Sequence, residues 1–187
     1  MKRSAPNRTA SCTAAALKRN WPVPVLVILA DHLTKRLARG LAAPSVLIPG
    51  ILGLHRTRNT GVAFSLFRDI PVVPVVISCA LILLFPLIFL KLKPRGAEAF
   101  GLALMFGGAA ANLTERLLYG WVTDMLELLF VAFPVFNVAD ICLTAGCAIT
   151  ALTLLFPAKK ENENGFSTGD YKPQTRNRKT YKALLCP

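Results

Sequence analysis

Apolar positions along the chain collect into four stretches, separated by segments rich in polar residues, glycine and proline. The first opens at Trp21 and ends in the polar run Asp31, His32, Leu33, Thr34 and Lys35; the others span about 71–92, 97–118 and 134–156. Each is close to the roughly 20 residues a helix needs to cross a hydrocarbon layer about 30 Å thick. Trp21 suits a membrane interface, and Pro74 and Pro86 are tolerable inside a membrane helix. Small residues at Gly101, Gly107, Gly108 and Ala109 in the third stretch allow close approach of a neighbouring helix. Between the first two stretches, Pro44, Pro49, Gly50, Gly53 and Gly61 interrupt any helix, while 46–48 and 62–66 favour short strands. The pattern predicts an all-α membrane protein: a four-helix transmembrane bundle with a small β-containing loop region on the extracytoplasmic side.

Composition agrees with that pattern. Of 187 residues, 53% are hydrophobic and 17% charged, which is more apolar than an ordinary soluble domain. The net charge of +12 would suit nucleic acid, but the basic residues flank the apolar stretches and form no separate domain, so no nucleic-acid partner is expected. Residues 1–20 read as a basic cytoplasmic extension, since they lack the apolar core of a signal peptide. Residues 21–157 hold the bundle, and 158–187 form a basic tail with little to bury, expected to be disordered. The first extension, the middle loop and the tail hold 15 of the 22 Lys and Arg residues, which places both termini in the cytoplasm. Arg36, Arg39, Arg56, Arg58 and Arg68 run against that rule by falling on the outer side. The five cysteines show no metal-ligand or redox spacing, and neither do His32 and His55.

With an even number of crossings, the polar helix ends fall on one membrane face: Asp31 and Lys35, Asn59, Asn112 and Arg116, Asp124, Asn137 and Asp140. Ionisable groups there are functional candidates because burying them in lipid is costly. Asp31 and Lys35 are four apart and can pair on one helical face. Asn112 with Arg116, and Asn137 with Asp140, have spacings that likewise project each pair from one face toward a shared cavity, with Asp124 beside them. Two carboxyl groups held close in a low-dielectric site share a proton, so one can act as base toward water and the other as acid. That arrangement suits hydrolysis of an amide without a covalent intermediate. The alternatives are a small transporter or proton-relay subunit using the same carboxylates, and a scaffold in which the polar residues only lock helices together.

Five segments, in order, carry a resemblance: Asp31-His32-Leu33-Thr34-Lys35; Asn59-Thr60-Gly61-Val62-Ala63-Phe64; Gly107-Gly108 through Asn112 to Arg116; Val122-Thr123-Asp124; and Phe136-Asn137-Val138-Ala139-Asp140 with Gly146 beyond. Over about residues 21–156 the chain resembles signal peptidase II, the lipoprotein signal peptidase of bacteria. The resemblance implies an intramembrane aspartic endopeptidase of the inner membrane. Such an enzyme cleaves a prolipoprotein on the amino side of its diacylglyceryl-modified cysteine. Asp124 and Asp140 match the catalytic aspartates of that family, and Asn59, Asn112, Arg116 and Asn137 match polar residues that line its site and contact substrate. Asp31 and Lys35 are expected to support the fold around the site. No metal or other cofactor is expected, membrane lipid is a partner by location, and one chain is expected to supply the site as a monomer. Two positions depart from the family pattern: Glu115 stands in place of an aspartate, with a consequence expected for Arg116, and Met125 in place of an aromatic residue.

Overall fold

A computed structural model describes residues 19–61, 70 and 72–156. The basic extension up to residue 18, the tail beyond 156 and the strand expected at 62–66 lie outside the described residues. Four helices, α1 (Pro22–Arg39), α2 (Val72–Leu92), α3 (Gly96–Tyr119) and α4 (Val138–Leu155), accompany a small sheet of β1 (Ser45–Ile48), β2 (Leu52–Asn59) and β3 (Val122–Leu128).

The apolar stretches set the helices, and local signals set their ends. Pro22 at the first position of α1 needs no N–H partner. Gly120 ends α3 in a left-handed conformation (φ 80°), its N–H returning to the Arg116 carbonyl at 3.0 Å. The fourth crossing, expected to begin between Pro134 and Asn137, is capped at Asn137 and helical from Val138, with Phe136 just before it bridging to Leu126.

Helix α3 lies centrally, against α1, α2 and α4. Its neighbouring glycines serve different partners. A Cβ on Gly107 would come within 2.9 Å of the Pro24 backbone in α1, and one on Gly108 within 2.5 Å of the Ala139 carbonyl oxygen in α4. Only a residue without a side chain permits both approaches. Farther along, Gly101 and Gly146 bring the α3 and α4 backbones together in the same way.

The sheet was only partly anticipated. β1 coincides with the strand expected at 46–48, whereas β2 and β3 were not foreseen, and the segment expected merely to lie at the interface after Tyr119 is β3. The three strands are antiparallel in the order β1-β2-β3, with Thr57 opposite Asp124 and Asn59 opposite Val122.

Burial is inverted relative to a water-soluble domain. Lys35, Glu115, Asn137, Asp31 and Asp124 are among the largest fully buried side chains, while Leu83 and Leu155 are each 72% exposed. Among the described residues, two helices, α2 and α4, are long and apolar enough throughout to cross a membrane; α1 and α3 concentrate their charge at the site.

Candidate active site

The polar centre is assembled from five elements: α1, β2, α3, β3 and the start of α4. Asn137 occupies the N-cap of α4 in extended conformation, and its side-chain oxygen accepts the Asp140 N–H at 2.9 Å. The Asp140 carboxylate in return accepts the Asn137 N–H at 3.2 Å, completing a reciprocal cap. Asp140 is therefore held in the first turn, where the positive end of the helix dipole favours a carboxylate.

Asn137 also reaches the second acid. Its amide nitrogen donates to Asp124 Oδ1 at 2.6 Å, while Asn59 from β2 donates to Asp124 Oδ2 at 3.0 Å. Asp124 thus comes from a strand and Asp140 from a helix, with one asparagine bonded to both. Asn112, about one turn from Gly108 along α3, donates to Asp140 Oδ1 at 2.9 Å. Its own oxygen accepts the Lys35 ammonium at 2.9 Å, which fixes the amide the right way round.

Lys35 is itself enclosed. It pairs with Asp31 at 2.7 Å and with Glu115 at 3.2 Å. The i,i+4 pair expected between Asp31 and Lys35 is present, and Asp31 goes further by accepting the Ala139 N–H of α4 at 2.9 Å. A fully buried cation is tolerable with such partners, but removing one of them would leave an uncompensated charge.

Arg116 donates through Nη2 to the Gly61 carbonyl at 2.9 Å, and its buried Nε has no hydrogen-bond partner among the described residues. Glu115, beside Arg116 in sequence, pairs with Arg39 as well as Lys35, and accepts the Thr123 backbone N–H at 2.7 Å and the Thr123 hydroxyl at 3.1 Å. Glu115 consequently ties α1 and α3 to the residue before Asp124. Met125, at the other departure, is buried in β3, its N–H bonded to the Phe136 carbonyl.

A cavity of about 1020 Å³ opens over this network, walled by Asn59, Asn112, Arg116, Asp124 and Asp140 on its polar side. Its other walls are apolar, from α2 (Pro74, Ile77, Leu81), the loop at Phe133–Phe136 and α4. Burial, and after it the nearby Asp140 charge, push the Asp124 carboxyl up to about 6 from 3.8, against the bonds from Asn137 and Asn59 and the charge of Lys35. Asp124 is therefore a group that holds or releases a proton near neutrality, beside a second acid.

The site brings together Asn59, Asn112, Arg116, Asp124, Asn137 and Asp140, and sets Asp31 and Lys35 behind them. Sequence inspection missed Arg39 and Thr123, which reach the network only through Glu115. The i,i+4 spacing of Asp31, Lys35 and Arg39 along α1 is the signal that would have placed Arg39, and alternation along β3 the one for Thr123.

Comparisons with known proteins point the same way. The family model described as signal peptidase (SPase) II matches residues 23–156. The lipoprotein signal peptidase of Enterococcus faecalis is 38% identical over 124 residues, covering 63% of this chain and 75% of that protein. That of Lactobacillus johnsonii is 33% identical over 145 residues, covering 74% and 93%. That of Mesorhizobium japonicum is 33% identical over 156 residues, covering 78% and 93%. Two solved bacterial membrane enzymes share the fold. One has a TM-score of 0.72 at 24% identity, over 81% of this chain and 96% of that one; the other has 0.66 at 25%, over 75% and 95%. With the family model spanning most of the chain and relatives of this identity matched over most of their length, the chain belongs to the signal peptidase II family of proteases.

Proposed function

We propose that the protein is an intramembrane aspartic endopeptidase that removes the signal peptide from prolipoproteins, cutting on the amino side of a diacylglyceryl-modified cysteine. Asp124 and Asp140 are the catalytic pair, and Asn59, Asn112, Arg116 and Asn137 bind and orient the substrate. The observation that carries this is the bonding of Asn137 to both acids on the wall of a cavity with one polar and one apolar side.

In this mechanism one carboxylate takes a proton from water as that water attacks the scissile carbonyl, and the other carboxyl gives its proton to the departing amine. The raised pKa of Asp124, about 6, suits an acid that is poised to exchange its proton near neutral pH. The free Nε–H of Arg116 is a charged donor available to the substrate backbone or to negative charge developing on the carbonyl oxygen. Asp31 and Lys35 act behind the site, by holding Asn112 and the first turn of α4.

All four helices cross the bacterial inner membrane, with the exposed leucines toward lipid, both termini in the cytoplasm and the site near the extracytoplasmic face. Residues 21–157 make up the peptidase, with residues 1–20 and 158–187 as basic extensions, and a single chain supplies every site group. A substrate held by its acyl chains would enter from the membrane through the apolar side of the cavity. The test is incubation of the purified protein in detergent with a prolipoprotein, with and without the diacylglyceryl group. Mass spectrometry should find a signal peptide and a mature chain beginning at the lipidated cysteine. Cleavage elsewhere, or none, would defeat the proposal.

A further inference from the structure

A second, smaller cavity of about 220 Å³ lies on the other face of the sheet, lined by Arg39, Arg56, Arg58, Tyr119, Trp121 and Thr123. Alternation along β3 separates the two cavities: Val122 and Asp124 face the larger, Trp121 and Thr123 the smaller, with Arg58 at the rim of both. These arginines include three of those that run against the expected charge bias of the membrane's two sides, and the peptidase chemistry uses none of them.

The three guanidinium groups are not equivalent. Arg39 is neutralised by Glu115 and lies 4.6 Å over the Tyr119 ring. Arg58 lies 4.6 Å over the Trp121 ring, and Arg56 donates to the Arg39 carbonyl at 3.0 Å. Neither Arg56 nor Arg58 has a carboxylate partner among the described residues, and no acidic residue lines the cavity. Arg56 and Arg58, two residues apart on β2, project from the same face of the strand. The planar forks of arginine, backed by aromatic rings, match a phosphate group in geometry and charge. The helices that supply Arg39 and Tyr119 also carry exposed apolar side chains near those residues in sequence: Leu37, Leu117 and Leu118 are 66%, 65% and 67% exposed.

We infer that this cavity binds the phosphate of an anionic phospholipid, with its acyl chains lying against those leucines. The inference rests on the interfacial placement given under Proposed function, and on no step of the peptidase chemistry. Phosphate esters in solution share the head-group chemistry; the leucines favour the lipid.

The test uses the full-length protein in neutral detergent, with Trp21→Phe so that Trp121 is the sole tryptophan. Its emission is titrated with short-chain phosphatidylglycerol, short-chain phosphatidylcholine and glycerol phosphate. Phosphatidylglycerol should shift the emission saturably, and glycerol phosphate and phosphatidylcholine should each need at least about tenfold more ligand. Arg56→Gln with Arg58→Gln should raise half-saturation by phosphatidylglycerol about tenfold or more, two charge-assisted contacts being lost. Arg56→Lys with Arg58→Lys, which keeps the charge, should fall in between. Equal binding of glycerol phosphate would assign the cavity to a soluble phosphate and overturn the lipid. Equal binding of phosphatidylcholine, or a glutamine pair that titrates like the parent, would overturn the site. Asp124→Asn should titrate unchanged; if that variant still cleaves prolipoprotein, the peptidase proposal fails while the lipid site stands.

Discussion

Asp124→Asn is expected to make the protein more stable at neutral pH. The folded carboxyl has a pKa of about 6 against an ordinary 3.8. A raised folded-state pKa means that the folded form binds the proton more tightly than the unfolded chain. Its penalty is absent below about pH 4, grows as pH rises between the two values, and is complete above about pH 6. Roughly two units correspond to about 3 kcal/mol at pH 7.5. Asparagine removes that penalty but keeps only one acceptor. If it keeps the bond from Asn137, its NH2 faces the Asn59 amide, whose own oxygen is already taken by the Gly61 N–H at 2.9 Å. That loss costs about 1–2 kcal/mol, leaving a net gain of about 1–2 kcal/mol. At 2–4 °C per kcal/mol, the apparent Tm by intrinsic fluorescence in detergent should rise by about 2–8 °C at pH 7.5. At pH 4.5, where the folded carboxyl is already protonated, most of the gain should vanish. A lower Tm at pH 7.5, or the same gain at both pH values, would refute the reasoning.

Asn137→Ala removes the cap of α4 and the donor to Asp124, so it should cost about 1 kcal/mol in stability and reduce kcat by roughly a hundredfold, measured by Tm and by prolipoprotein cleavage. Lys35→Met leaves the Asp31 and Glu115 carboxylates without their shared cation and should cost about 3–5 kcal/mol, seen as a large fall in Tm. Gly108→Ala drives a Cβ into the Ala139 carbonyl, so it should cost about 1–3 kcal/mol and, by displacing the first turn that carries Asp140, lower kcat.

How much of this was legible in the chain differs from element to element. The four helices follow from apolar length, and their observed limits lie within a few residues of those expected. The spacing Asn112/Arg116 placed that pair on one cavity wall, because helix periodicity fixes such neighbours, whereas of Asn137 and Asp140 only Asp140 reaches the cavity, Asn137 being fully buried as the extended N-cap of α4. Resemblance to a family supplied the catalytic roles; spacing did not. β2 and β3 were hidden because their alternating residues include Arg56, Arg58 and Glu127, which resemble a polar loop when read without their partner strands. The ties made by Glu115 were illegible for a related reason: it meets Arg39 and Thr123 only once α1, α3 and β3 have docked.

The central claim is that two acids from different elements perform the hydrolysis. Its most direct measurement is single-turnover cleavage of a diacylglyceryl-modified prolipoprotein by Asp124→Asn and Asp140→Asn, each first shown by Tm to be folded. Both should lose at least about a hundredfold in rate relative to the parent. A folded variant of either that cleaves at close to the parental rate would contradict it.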